Sequence, residues 1–317
     1  MHLLRKQLAD LASLDIPQTK RPDFDVFWDE TRTRVERTPL TLQCVPRPYP
    51  LRRMEVYDVS FSGLDETPIH AWLLLPAGCT KPVPAVVHFH GAGGSRGIPA
   101  SYAHWVLLGV AVLVMDFRMQ AGLTGSRTGF VGAQSLGWTA LGLTDKHSYY
   151  LYHVWSDALR ALRVAREHPA LDAARLAVDG ASQGGGTALA MAALDHSVAL
   201  CMADVPSACW MEKRIFDRTG GAKHIAHFLE DHPELVETVL STVSYCDNLN
   251  LADRITCPVL MSCGLKDPVC PPETAYAVYN KISAPKEMVV YPFAEHDGGG
   301  WLHKERKLAF VQQHFNL

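Results

Sequence analysis

Several things are scarce in this chain, and each scarcity narrows what it can do. No apolar run reaches transmembrane length. The start, Met1-His2-Leu3-Leu4-Arg5-Lys6-Gln7, holds no apolar run followed by a small-residue cleavage site. A cytoplasmic location is the expectation. Charge of one sign is scarce too: 30 Lys and Arg face 33 Asp and Glu, a net charge of −3, and the basic residues are scattered. Nucleic-acid and membrane partners are therefore not expected. None of the eight cysteines forms C-x-x-C or a zinc-type cluster, so buried free thiols are expected rather than disulfides. No internal repeat and no low-complexity segment is visible.

What is present is a chain of 317 residues, 48% hydrophobic, enough for a sizeable core in one large domain over 1–317. Residues 1–50 read as a helical extension. Within it, Phe24, Phe27, Trp28 and Val35 recur at near-helical spacing over 22–38, with Pro22 near the start, where proline is tolerated. Met54 to Phe61 alternates polar and apolar residues, Ser62-Gly63-Leu64-Asp65 reads as a turn, and Pro68 to Leu75 continues the alternation. This predicts an antiparallel hairpin.

After Pro76 the pattern changes to short continuous apolar runs: Ala85 to His90, Val110 to Met115, Leu176 to Val178, Ala199 to Ala203, Val259 to Ser262 and Met288 to Tyr291. Helical stretches such as Tyr152 to Glu167 and Glu273 to Lys281 lie between them. Such alternation predicts an α/β fold: a mostly parallel central sheet with helices on both faces, and sites at the carboxyl ends of strands. Phe117 to Ser148 is loop-like. Residues 206–254 read as a helical insertion, and both segments are expected to wall the site.

The stretch Leu176-Ala177-Val178-Asp179-Gly180-Ala181-Ser182-Gln183-Gly184 runs from an apolar strand through Gly-x-Ser-x-Gly into an Ala-rich helix, Thr187 to Leu194. That context turns a weak motif into a nucleophile elbow, with Ser182 strained at a helix N-terminus where negative charge is favoured. A serine nucleophile needs a base, and the base needs an acid to orient it. Asp267 follows the run Val259 to Ser262, and His296 follows Met288 to Tyr291, which is the chain order this elbow requires. Singly, Asp267 is as plausible a helix cap and His296 a surface histidine among 15. The order and the strand-end placement together favour Ser182, Asp267 and His296 acting as one unit. Glu295 and Asp297 compete for the acid role, but a residue adjacent to His296 can rarely reach its ring in line.

The tetrahedral intermediate needs two donors for its oxyanion, each worth roughly 3 kcal/mol. The backbone N–H groups of Gln183 and Ala92 are the candidates. Ala92 lies in His90-Gly91-Ala92-Gly93-Gly94, a loop of the HGGG type. His88 and His90, two apart on one strand, would share a face and could bind a metal, but no third ligand is evident. No metal and no cofactor are expected.

The chain resembles the acetyl xylan esterase and cephalosporin-C deacetylase family, carbohydrate esterase family 7. The resemblance spans nearly the whole chain and rests on these segments: Asp58-Val59-Ser60-Phe61-Ser62-Gly63, Val114-Met115-Asp116-Phe117-Arg118-Met119-Gln120, Gly180-Ala181-Ser182-Gln183-Gly184-Gly185-Gly186, Asp204-Val205-Pro206, Gly264-Leu265-Lys266-Asp267-Pro268-Val269-Cys270-Pro271-Pro272 and His296-Asp297-Gly298-Gly299-Gly300. It implies an α/β-hydrolase fold, a triad at Ser182, Asp267 and His296, and removal of acetyl groups from small, varied alcohols, including acetylated xylo-oligosaccharides and cephalosporin C. It also implies an intracellular homo-oligomer, often a hexamer. Gly91, Gln120, Pro206 and Trp210 are the residues expected to contact substrate. Two departures stand out. Arg118-Met119-Gln120 replaces Arg-Gly-Gln, and Ala92 stands where the family usually carries Tyr. Loss of that ring predicts a more permissive acyl pocket, unless Trp210 or Met119 fills the space.

Two other functions fit the same fold. A serine peptidase or amidase usually adds a propeller or a basic pocket, and no such repeat is visible. A non-catalytic binding protein usually lacks part of the triad, whereas every member is present here.

Overall fold

The computed structural model describes residues 2–132 and 135–317. Met1, in the expected N-terminal extension, and Ala133 and Gln134, in the expected loop 117–148, lie outside the described residues.

The chain opens with helix α1 (His2–Ala12) and helix α2 (Phe24–Arg37). The apolar stripe expected over 22–38 is the buried face of α2: Phe24, Phe27, Trp28, Thr31 and Val35. Trp28 is fully buried, its indole N–H donates to the Tyr245 carbonyl at 2.9 Å, and its ring lies 5.7 Å from that of Trp155. Such a residue is worth about 3–5 kcal/mol to the fold.

Residues 1–50 are not helical throughout. Strand β1 (Leu42–Arg47) pairs antiparallel with β2 (Met54–Ser62), which pairs antiparallel with β3 (Pro68–Pro76). The expected hairpin is thus part of a three-stranded meander. Every residue of β1 is exposed, and Pro46 lies within it. With no buried face, β1 carries no alternation to read, and proline in a strand is confined to edges.

The sheet continues with β4 (Val83–Phe89), β5 (Ala111–Met115), β6 (Leu171–Ala181), β7 (Val198–Asp204), β8 (Val259–Gly264) and β9 (Lys286–Tyr291). Its order is β1-β2-β3-β5-β4-β6-β7-β8-β9. The step from β3 to β5 is antiparallel, and every pairing from β5 to β9 is parallel. Side chains alternate between two cores. Ala85, Val87 and Phe89 join the core shared with α2, while Val86 joins the other. A parallel sheet buried on both faces leaves continuous apolar runs in the sequence, which is why these strands were readable.

The first core is covered by α4 (Tyr150–Glu167), α5 (Gln183–Leu194) and α9 (Pro272–Lys281), the second by α3 (Ala103–Leu107) and α10 (Gly300–Phe315). Between β7 and β8 lie α6 (Met211–Phe216), α7 (Ala222–Asp231) and α8 (Val236–Ser244). Among the described residues no helix is long and apolar enough to cross a membrane. All eight cysteines are free; six are buried, but Cys44 and Cys79 are exposed, against the expectation.

Candidate active site

The site begins at the end of β6. Ser182 sits between β6 and α5 with φ 58° and ψ −117°, a conformation that costs a side-chain-bearing residue roughly 1–3 kcal/mol. Backbone hydrogen bonds hold it there. The Ser182 N–H donates to the Asp204 carbonyl at 2.9 Å, and the Ser182 carbonyl accepts from the N–H groups of Gly186 and Ser207, each at 2.9 Å. Two glycines let β4, β6 and α5 approach this closely. A Cβ on Gly184 would lie 1.9 Å from the Phe89 carbonyl oxygen, and one on Gly180 would lie 2.4 Å from the Gly184 carbonyl carbon. No other residue fits at either position.

His296, in the loop after β9, has its Nε2 2.9 Å from Ser182 Oγ and its Nδ1 2.8 Å from Asp267 Oδ2. A carboxylate only accepts, so Nδ1 carries the proton and Nε2 accepts from the serine hydroxyl. Asp267, in the loop after β8, has a fully buried side chain. Its other oxygen, Oδ1, accepts from the N–H groups of Val269 at 2.8 Å and Cys270 at 2.9 Å. Glu295 and Asp297 flank His296 but are exposed, and neither bonds to its ring.

Gly91, Ala92 and Gly93 lead away from β4 beside the elbow. The Ala92 N–H donates to no group among the described residues. The Gln183 N–H is the first of α5, so no acceptor exists for it within the helix. Gln120 braces both segments. Its Oε1 accepts from the Gly93 N–H at 2.8 Å, and its Nε2 donates to Tyr150 Oη at 2.9 Å and to Gln183 Oε1 at 3.0 Å. The Tyr150 hydroxyl donates in turn to the Arg118 carbonyl at 2.6 Å. Arg118 is buried between Asp157 and Asp65, at 2.8 Å and 2.9 Å. Burial alone would raise the Asp65 carboxyl, but hydrogen bonds and charge from Arg118, with Thr128, hold it well below the usual carboxylate range.

A cleft of about 90 Å³ opens beside Ser182, lined by Ala92, Gln183 and residues from three other segments. Thr139, Tyr149 and Leu151 come from around the start of α4; Ser207, Ala208, Met211, Arg214, Gly221 and Ala222 come from the insertion, with Val269 from the Asp267 loop. Of the residues expected to contact substrate, Gly91, Gln120, Pro206 and Trp210, none lines this cleft. Gln120 is engaged by its brace, and Pro206 is buried behind the elbow, against Gly185. Trp210 sits at φ 50° and gives its N–H to Asp247 at 2.8 Å. Neither Trp210 nor Met119 fills the space beside Ala92; the aromatic ring of the cleft is Tyr149. Tyr149 starts a Tyr-Tyr pair three residues before the expected helix, and nothing in the sequence marked it as a wall.

His88 and His90 are held by different partners. His90 lies just past β4, buried, its Nε2 accepting from the Phe117 N–H at 2.9 Å and its Nδ1 donating to the Gly91 carbonyl at 2.7 Å. His88 pairs with Asp179 at 2.8 Å, which also holds Lys307. Among the described residues no group of three or more potential ligands could hold a metal ion.

A mostly parallel sheet, a strained serine between strand and helix, and a Ser–His–Asp chain of hydrogen bonds define an α/β hydrolase. The sequence profile of the acetyl xylan esterase (AXE1) family matches residues 1–314, and the chain belongs to that family. Acetyl esterase Axe7A of Xylanibacter ruminicola is 32% identical over 289 residues, which is 88% of this chain but 64% of that one. The solved acetyl xylan esterase from Paenibacillus sp. R4 superposes with a TM-score of 0.91 at 36% identity, covering 96% of this chain and 99% of its own. Acetyl xylan esterase 1 from Thermoanaerobacterium sp. JW/SL YS485 also gives a TM-score of 0.91, at 28% identity, covering 97% and 98%.

Proposed function

We propose that the chain is a serine hydrolase that removes acetyl groups from small acetylated substrates, such as acetylated xylo-oligosaccharides and cephalosporin C-like esters. The single observation that carries this reading is the continuous hydrogen-bond chain from Ser182 Oγ through His296 to Asp267 beside a small cleft. Ser182 Oγ attacks the ester carbonyl as His296 Nε2 takes its proton. The N–H groups of Gln183 and Ala92 receive the oxyanion, each worth roughly 3 kcal/mol in the transition state. His296 then protonates the leaving alcohol, and water releases the acyl group by the reverse steps. Asp267 stabilises the imidazolium and fixes its tautomer.

The family membership and the names of the relatives support acetyl as the acyl group. The small cleft supports a short acyl chain. The unpaired outer edge of β1, with Leu42 and Val45 exposed, supports a homo-oligomer, for which a hexamer is the proposed state. Hydrolysis of p-nitrophenyl acetate, p-nitrophenyl octanoate and a peptide anilide, followed by acetate release from acetylated xylo-oligosaccharide, tests the function. Activity on the acetyl esters alone is expected. Faster cleavage of the anilide would contradict it.

A further inference from the structure

Three buried donors on the cleft wall have more capacity than the protein uses. Arg214 is 3% exposed, Tyr149 0% and Gln183 7%. All three line the cleft that contains Ser182. Arg214 donates from Nη2 to the Val269 carbonyl at 2.9 Å and from Nε to Thr219 Oγ1 at 3.5 Å. No carboxylate lies within ion-pair distance of it among the described residues. The buried carboxylate within its electrostatic range, Asp247, spends both oxygens on the backbone N–H groups of Trp210, Met211 and Leu249. A buried guanidinium with no carboxylate in ion-pair contact is costly, and an anion in the cleft would offset that cost.

The other two donors point the same way. Tyr149 Oη is buried and bonds to nothing. Gln183 Nε2 is likewise buried and unsatisfied. Its orientation follows from the brace. The Gly93 N–H fixes Gln120 Oε1 as acceptor, so Gln120 Nε2 must donate to Gln183 Oε1, which leaves Gln183 Nε2 over. A cationic fork with donors to spare, a hydroxyl and an amide N–H that find no acceptor are complementary to a carboxylate, whose two oxygens accept several hydrogen bonds.

We propose that the cleft beside Ser182 binds a short carboxylate anion through Arg214, Tyr149 and Gln183. This deepens the esterase reading and rests on it for the identity of the cleft. The carboxylate has two sources. It is either the free acid that hydrolysis releases, or the terminal carboxylate of an acyl group derived from a short dicarboxylic acid.

The test uses the intact protein and a binding readout independent of turnover. Sodium acetate and the uncharged isostere acetamide are titrated by ligand-observed NMR. Acetate is expected to bind at least about tenfold more tightly, as charge-assisted bonds require. Arg214→Met should abolish that preference, and Tyr149→Phe should weaken acetate several-fold. Because Arg214 also holds the Asp267 loop, Arg214→Met is first checked for folding by circular dichroism. If it does not fold, Tyr149→Phe and the wild-type comparison decide. Equal binding of acetate and acetamide, or acetate binding unmoved by Tyr149→Phe, overturns the proposal. To separate the sources, 4-nitrophenyl hemisuccinate is compared with 4-nitrophenyl butyrate. Faster cleavage of the hemisuccinate assigns the site to the acyl group; slower cleavage with acetate bound assigns it to the released acid. Acetate binding without any ester hydrolysis would overturn the esterase reading and leave this one standing. Hydrolysis with no preference for the anion would do the reverse.

Discussion

The two sides of the site are built by different rules. Ser182, Asp267 and His296 stand just beyond the ends of β6, β8 and β9, each at the end of a strand that the sheet fixes. The cleft wall opposite, with Ala92, Tyr149 and Arg214, comes from a loop, a helix start and an insertion that meet only in three dimensions. The first side is positioned by backbone hydrogen bonds, the second by side-chain packing and by the brace through Gln120. Chemistry that must be placed within tenths of an ångström sits on the sheet. Selectivity, which a change of wall can alter, sits on the connections.

The largest effect should come from breaking the sheet side. Asp267→Asn removes the acceptor that fixes the His296 tautomer, and kcat should fall about ten-thousandfold. Asp297→Asn and Glu295→Gln should stay within a few-fold of wild type, since both residues are exposed and neither bonds to the His296 ring. Steady-state kinetics on p-nitrophenyl acetate checks this. A larger loss from Asp297→Asn would assign the acid wrongly.

The brace should matter less. Gln120→Ala frees the Gly93 N–H and Gln183 Oε1 together, which loosens both proposed oxyanion donors. A fall in kcat of about 10- to 100-fold with little change in KM is expected, the mark of an interaction made in the transition state. A rise in KM alone would place Gln120 in ground-state binding instead.

How much of this was legible follows the same division. Gly180-x-Ser182-x-Gly184 could be read because no other residue fits beside the Phe89 carbonyl and Gly184. Asp267 and His296 followed because loops after buried strands inherit the strand's position. Gln120 was read as a substrate contact from its motif, and its role as a brace depends on a hydrogen bond to a residue 27 positions away in the chain. Pro206 and Trp210 were read from motif position, whereas the residues of the insertion that line the cleft include Met211 and Arg214. Strand β1 escaped because an exposed edge strand has no buried face to impose a period.

On the wall itself the effect should be smaller and confined to selectivity. Ala92→Tyr puts a ring back beside the serine, and the ratio of kcat/KM for p-nitrophenyl butyrate over acetate should fall about tenfold, the low end for lost methylene contacts. An unchanged ratio would mean that Tyr149 and Leu151 set the acyl limit without help from position 92.

The smallest effect lies beneath the wall. Asp65→Asn removes an ion pair to the buried Arg118 at a position 21% exposed, worth about 1 kcal/mol or more, and should lower the Tm by a few degrees at pH 7. The sign with pH follows from the depressed carboxyl of Asp65. A carboxyl held below its ordinary value of about 3.9 stabilises the fold above that pH and loses the contribution as pH falls through the folded value. The Tm gap between variant and wild type should therefore be full at neutral pH and shrink below about pH 4. A gap that widens in acid would contradict the pairing.

The measurement that bears most directly on the central claim is covalent labelling of the nucleophile. The protein is treated with a fluorophosphonate, its intact mass is taken, and the labelled peptide is sequenced by mass spectrometry. One adduct per chain is expected, on Ser182, with label lost in Ser182→Ala and greatly slowed in Asp267→Asn. An adduct on any other residue, or rapid labelling that survives Ser182→Ala, would contradict the account.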